Sequence, residues 1–120
     1  MGGRAIRLGE VRRMRETADG GLEISPATTY GALAAAALPG GLAAVAARCG
    51  DGTIGSGVCA AAPGDAMNRF LLEAGAVFTL ASRRGRRVVA AAAFFAPACG
   101  TALARDEILL AITLPASTMR

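Results

Sequence analysis

The 120-residue chain carries a formal charge of +4, and all thirteen of its basic residues are arginine, with no lysine and no histidine. That composition excludes histidine acid–base chemistry, histidine metal ligation and a lysine Schiff base. Apolar residues make up 53% of the chain, enough for a folded core, but alanine dominates them and buries little surface, so the core is expected to be close-packed and thin.

In chain order, Ala5-Ile6-Arg7-Leu8 alternates as a short edge strand does, and Arg12 to Glu16 follows as a charged connector with a surface turn. Asp19-Gly20-Gly21 supplies a tight turn, after which Leu22-Glu23-Ile24-Ser25 alternates apolar and polar as a half-buried strand. Thr28 is the expected N-cap of an alanine-rich helix running to about Ala37. Pro39-Gly40-Gly41 stops that helix, and Leu42 to Arg48 resumes one with Leu42, Val45 and Ala46 on one face. The glycines at 50, 52, 55 and 57 point to a loop from Cys49 to Gly57. A further helix begins near Pro63-Gly64-Asp65, turns Met67, Phe70, Leu71 and Ala74 to one side and ends at Gly75.

Ala76 to Ala81 and Arg86 to Ala90 read as two antiparallel strands around a turn containing Gly85. Phe94-Phe95 lies near a helical turn ended by Pro97, and Glu107 to Pro115 is a closing strand. This order is α+β: a small antiparallel sheet with helices packed on it, in one domain spanning residues 1–120.

Cys49, Cys59 and Cys99 are odd in number, widely spaced and free of C-x-x-C pairs, which signals neither a disulfide framework nor a zinc or iron–sulfur site and fits a reducing cytoplasm. The uncharged run from Tyr30 to Ala47 is broken by Pro39-Gly40-Gly41 and rich in weakly hydrophobic residues, so no membrane span is expected. Arg83-Arg84-Gly85-Arg86-Arg87 lacks interleaved aromatic residues and reads as a solvated hairpin turn rather than a nucleic-acid site. Without histidine, Ser25, Ser56, Ser82 and Ser117 have no activating base, and no catalytic residue is assigned.

Four segments in collinear order resemble the FAD-binding subunit or domain of molybdenum hydroxylases, the carbon monoxide dehydrogenase and xanthine dehydrogenase family. Leu22 to Leu33 resembles that family's strand-to-helix turn. Gly52-Thr53-Ile54-Gly55-Ser56-Gly57 resembles its G-T-I-G-G-N flavin loop, with Pro63-Gly64-Asp65 at about the familiar spacing. Phe94-Phe95 through Thr101-Ala102-Leu103, and Glu107 to Pro115 as E-L-L-x-x-I-x-x-P, complete the set. The match covers nearly all of the chain but only the middle of the family's subunit, so the chain is expected to be truncated at both ends.

The resemblance implies the second half of a PCMH-type FAD-binding domain, with FAD as cofactor and no metal. It points to Thr53, Ile54, Gly55, Ser56, Gly57, Asp65 and Leu109 as cofactor-binding residues. It implies as partners a molybdopterin-binding large subunit and a 2Fe–2S small subunit, or a chain supplying the other half of the cradle, with a homo-oligomer as a further form. The family's A-G-G-x-x-L loop has no counterpart, the glycine and asparagine that end its flavin loop are Ser56 and Gly57, and its G-Y-[KR]-K-T stretch stands as Pro97-Ala98-Cys99-Gly100-Thr101. These departures weaken flavin binding by the chain on its own, at on the order of 1 kcal/mol per lost hydrogen bond. From the residues themselves two readings stay open at each position. Thr53 to Gly57 is a flavin contact or a glycine-rich surface loop, Asp65 a ligand or a helix-start acid, and Leu109 a ring contact or core. The function implied is an electron-transfer flavoprotein component, with a non-catalytic interaction domain as the alternative.

Overall fold

Strands with alternating apolar residues assemble the centre of the molecule. The computed structural model describes residues 14–36, 41–60, 65–95 and 103–119. Five strands pair antiparallel in the order β1-β2-β5-β3-β4: β1 is Met14–Glu16, β2 Leu22–Ile24, β3 Val77–Ser82, β4 Gly85–Ala90 and β5 Ile108–Leu114. Directly opposed residues share a face of a sheet. Ile24 and Phe78 both oppose Ile112, and Leu22 opposes Leu114, which gathers these buried side chains on one face.

The register shifts between Thr79 and Leu80, so that Thr79 opposes Ala111 while Leu80 opposes Leu109 and Leu110 is the extra residue of a bulge. A bulge reverses the alternation locally. Leu109 thereby joins Leu80 on the core face instead of pointing away from it. The closing strand and the 77–90 hairpin stand as the sequence predicts.

Met14–Glu16, expected as a charged connector, is instead a strand. Its own pattern is too polar to announce this. It is held by pairing with β2, by the Arg15–Glu23 ion pair on one side and by Met14 packing against the core on the other. Gly20, at φ 91°, makes the turn between the two strands.

The helices pack on the core face. They are α1 Tyr30–Ala35, α2 Leu42–Ala47, α3 Ile54–Ala60, α4 Ala66–Ala74 and α5 Ala91–Phe94. Their buried contacts include Leu33, Leu42, Ile54, Val58, Met67, Leu71 and Phe94. Three phenylalanine rings anchor one end of this thin core. Phe78, Phe94 and Phe95 meet edge to face, with centroids 4.8, 5.3 and 5.7 Å apart.

The cap of α1 is Thr29 rather than Thr28: Thr29 Oγ1 accepts from the Ala32 N–H at 3.0 Å. Thr28 is buried, and its carbonyl accepts from the Ile54 N–H. Asp65 caps α4 and Gly75, at φ 78°, closes it, both as the sequence implies. The expected strand at Ala5 to Leu8, the break at Pro39-Gly40, Pro63-Gly64 and the stretch from Pro97 to Ala102 lie outside the described residues.

The largest correction falls on Cys49 to Gly57. Only its first part is a turn, with Gly50 and Gly52 at positive φ, and from Ile54 the chain is helical. Glycine's freedom is used at 50 and 52, whereas at 55 and 57 its missing side chain is used for close packing.

Candidate functional site

The start of α3 is tied to the segment before α1 by a short two-stranded contact. Tyr30 N–H donates to the Gly52 carbonyl at 3.1 Å, Ile54 N–H to Thr28 at 2.9 Å and Gly55 N–H to Pro26 at 2.9 Å. This lays Gly55 directly on Pro26. A Cβ at residue 55 would lie 2.7 Å from the Pro26 carbonyl oxygen and 2.9 Å from its Cα.

Thr53 then caps the helix. Its Oγ1 accepts from the Ser56 N–H at 3.2 Å, and the Ser56 hydroxyl donates back to the Thr53 carbonyl at 3.0 Å. Gly57 N–H also donates to the Thr53 carbonyl, at 3.3 Å.

This corner faces the start of β5 across a cleft of about 410 Å³ lined by Pro26, Ala27, Thr53, Gly55, Ser56, Cys59, Leu103, Glu107, Ile108 and Leu109. Its size lies within the range of small-molecule sites, and most of its wall is apolar. The bulge at Leu110 is what aims Leu109 at this side of the sheet.

One wall is fixed by a buried carboxylate. Glu107 receives a two-pronged bond from Arg87, Nε to Oε2 at 2.7 Å and Nη2 to Oε1 at 2.9 Å, and a third from the Ala104 N–H at 2.9 Å. The Arg87 guanidinium first, and the Ala104 N–H after it, hold the Glu107 carboxyl at about 2. Arg84 pairs with Asp106 at 2.7 Å beside it, so the hairpin turn is clamped onto the 103–107 segment. Two of the arginines that read as a solvated turn thus hold the cleft wall.

Of the residues named from the sequence, Thr53, Gly55, Ser56 and Leu109 come together at the cleft. Ile54 is wholly buried in the core. Gly57 and Asp65 belong to another contact. The Tyr30 hydroxyl occupies the place of a residue-57 side chain, Asp65 Oδ2 lies 3.6 Å from that place, and Asn68 Nδ2 donates to the Gly57 carbonyl at 3.0 Å. The Asn68 Oδ1 is buried there with no hydrogen-bond partner among the described residues. Burial first, and then the charge of Asp65, push the Tyr30 phenol and the Cys49 thiol upward.

Pro26, Ala27, Cys59, Leu103, Glu107 and Ile108 line the cleft without having been singled out for it. The signal for Glu107 was its place two residues before Leu109. Leu103 ended the third resembling segment without being named as a contact, and it reaches the cleft through the 103–107 turn. Among the described residues no group of three potential metal ligands occurs, and no helix is long and apolar enough to cross a membrane.

A family model described as the FAD binding domain in molybdopterin dehydrogenase matches residues 4–117. The chain belongs to that family. Among solved structures, carbon monoxide dehydrogenase from Oligotropha carboxidovorans matches at 29% identity and a TM-score of 0.77, over 85% of this chain and 39% of that one. Carbon monoxide dehydrogenase from Hydrogenophaga pseudoflava matches at 27% and 0.77, over 92% and 42%. Quinoline 2-oxidoreductase from Pseudomonas putida 86 matches at 25% and 0.78, over 89% and 41%. No curated protein matches. The chain therefore spans about two fifths of the length of these relatives, and its antiparallel sheet with packed helices is the PCMH-type arrangement seen in them.

FAD fits this cleft in part. Leu103, Leu109 and Pro26 would offer apolar walls to a planar ring, and Thr53 and Ser56 line the same cleft. The backbone N–H groups of residues 54 to 57 make no cradle, because each already donates within the chain.

Proposed function

We propose that the chain is a FAD-binding electron-transfer component of a molybdenum-hydroxylase-type oxidoreductase, its flavin seated in the cleft between α3 and β5. The observation that supports this is the juxtaposition of Thr53, Gly55 and Ser56 with Leu109, two segments far apart in sequence, in a member of an FAD-binding family. The protein supplies the pocket and the flavin, when bound, supplies the redox chemistry. Thr53 and Ser56 orient it by hydrogen bonds, and Leu103, Ile108 and Leu109 exclude water from one side. A molybdopterin-binding large subunit together with a 2Fe–2S small subunit, or a chain completing the cradle, is the partner this reading requires, in the cytoplasm.

The test is titration of FAD into the purified chain, alone and with candidate partner subunits, followed by visible absorbance and flavin fluorescence. Binding that strengthens with a partner is expected. Absence of binding with every partner removes the cofactor role.

A second reading, a non-catalytic interaction domain, is favoured by Val88 of β4, which is 65% exposed and lies outside the cleft lining. Sedimentation separates the two, since a stable, flavin-free monomer counts against an interaction role.

A further inference from the structure

The hairpin of β3 and β4 ends the sheet, and among the described strands β4 pairs with β3 alone. Ser82 opposes Gly85 around a two-residue turn, so this pair exchanges hydrogen bonds and every second pair after it does the same. The Ala91 N–H, donating to the Ala76 carbonyl at 2.9 Å, continues that series past the end of the strand. Gly85, Arg87 and Val89 therefore turn their N–H and C=O groups to β3, and Arg86 and Val88 turn theirs to the open edge. Among the described residues no backbone group receives them. Val89 opposes the buried Phe78 on the core face, which puts the side chains of Arg86 and Val88 on the outer face.

Charge at this edge is unbalanced. Arg84 and Arg87 are held by Asp106 and Glu107, whereas the exposed Arg83, Arg86 and Arg105 form no ion pair among the described residues. Arg105 stands next to Asp106, so the Arg84–Asp106 bond brings it to the hairpin end. A row of outward backbone groups beside an apolar side chain and unpaired arginines fits strand addition by a segment that brings carboxylates. A second copy suits it less, because each chain carries +4. The opposite edge, β1, is three residues long and its Arg15 is already paired with Glu23.

We propose that β4 is a docking edge for an extended, acidic segment of a partner protein. The segment adds antiparallel, as every strand of this sheet does, and hydrogen-bonds the outward groups of Arg86 and Val88. It covers Val88 with an apolar side chain and sets its carboxylates on Arg83, Arg86 and Arg105. Arg86 and Val88 lie outside the cleft lining, so the docking edge and the flavin reading stand or fall separately.

Amide exchange of the isotope-labelled full chain, read by NMR, tests this. The probe is a capped peptide of about eight residues, valine and threonine alternating in its first half and glutamate filling its second. In the free chain the Arg87 and Val89 amides are expected to exchange slowly and the Arg86 and Val88 amides rapidly; the peptide slows the latter pair by about tenfold or more. Arg83→Ser combined with Arg86→Thr is expected to weaken the peptide about tenfold, with slow exchange at Arg87 and Val89 reporting that the fold is kept. Methylating alternate peptide nitrogens removes the strand's donors and abolishes binding. No slowing at Arg86 and Val88 in millimolar peptide overturns the proposal, as does equal binding of a lysine counterpart or of the methylated peptide. Slowing of the same two amides as the chain is concentrated without peptide assigns the edge to a second copy and overturns it as well. The FAD titration reads the cleft independently of each of these outcomes.

Discussion

The hydroxyl of Tyr30 fills the space in which a side chain at residue 57 would begin. Tyr30 is only 5% exposed, and its ring also lies against Gly52, so it has no open direction in which to swing. Gly57 is inside α3, where alanine is ordinarily favoured over glycine by about 1 kcal/mol. Crowding against the phenol reverses that preference. Gly57→Ala is expected to destabilise the chain by about 1–2 kcal/mol, as overpacking does. In a Tyr30→Phe background the nearest ring atom stands 3.6 Å from the new methyl carbon, an ordinary contact, and the same substitution should be neutral or stabilising. Urea unfolding of the four proteins measures the sign change, and equal costs in both backgrounds would refute the coupling. Restoring the family's asparagine at 57 meets the same obstacle.

A stiffer obstacle stands at Gly55. Here a Cβ meets the Pro26 backbone, 2.7 Å from its oxygen and 2.9 Å from its Cα, and backbone yields less than a side-chain tip. Gly55→Ala is expected to cost about 2–3 kcal/mol in the absence of any flavin. A flavin-free melting curve checks it. An unchanged midpoint would mean that Gly55 is glycine for a ligand's sake and not for Pro26.

The strands and the capped helix α4 were legible because each carries its own local signal: alternation in Leu22–Ile24, the apolar, β-branched run of β5, and Asp65 and Gly75 bracketing Ala66–Ala74. Met14–Glu16 carried none, since its strand exists through pairing with β2. The glycines of residues 52 to 57 misled in a physical way. Glycine serves both for left-handed backbone and for close approach, and the letters do not say which. Gly52 is the first kind, and Gly55 and Gly57 are the second. The bulge that aims Leu109 depends on β3 pairing with β5, a long-range event that no run of residues around Leu109 announces. Glu107 and Arg87 lie twenty residues apart, so their pairing too was invisible before the sheet existed.

That pair predicts an acid dependence. The Glu107 carboxyl is held at about 2, below its ordinary 4.5, by the Arg87 guanidinium and then by the Ala104 N–H. A carboxyl depressed by folding contributes stability that is fully present above its unfolded value and disappears as pH falls through its folded value. The contribution of Glu107 should therefore decline from about pH 4.5 down to about 2. Asp19 is also depressed, by the Thr17 hydroxyl and then the Gly21 N–H, and its effect falls in acid as well. The difference between wild type and Glu107→Gln isolates the first group. Melting temperatures of the two proteins are expected to differ most above pH 5 and to converge toward pH 2. Parallel curves across that interval would show that the Arg87–Glu107 charge pair is not coupled to folding.

Cys59 supplies an internal probe of the cleft. It lines the cavity, and its thiol is pushed upward by burial alone, so alkylation should be slow near neutrality and quicken in alkaline buffer. A ring lying between Ser56 and Leu109 would cover it. FAD at saturating concentration is expected to slow alkylation of Cys59 by about tenfold or more while leaving Cys49, outside the cleft lining, at its original rate; a tenfold change corresponds to about 1.4 kcal/mol of protection. Peptide mapping after timed alkylation reads the two sites separately. Equal slowing at both would signal a general tightening of the fold, and no slowing at Cys59 under conditions where the absorbance titration shows bound flavin would place the ligand elsewhere on the molecule.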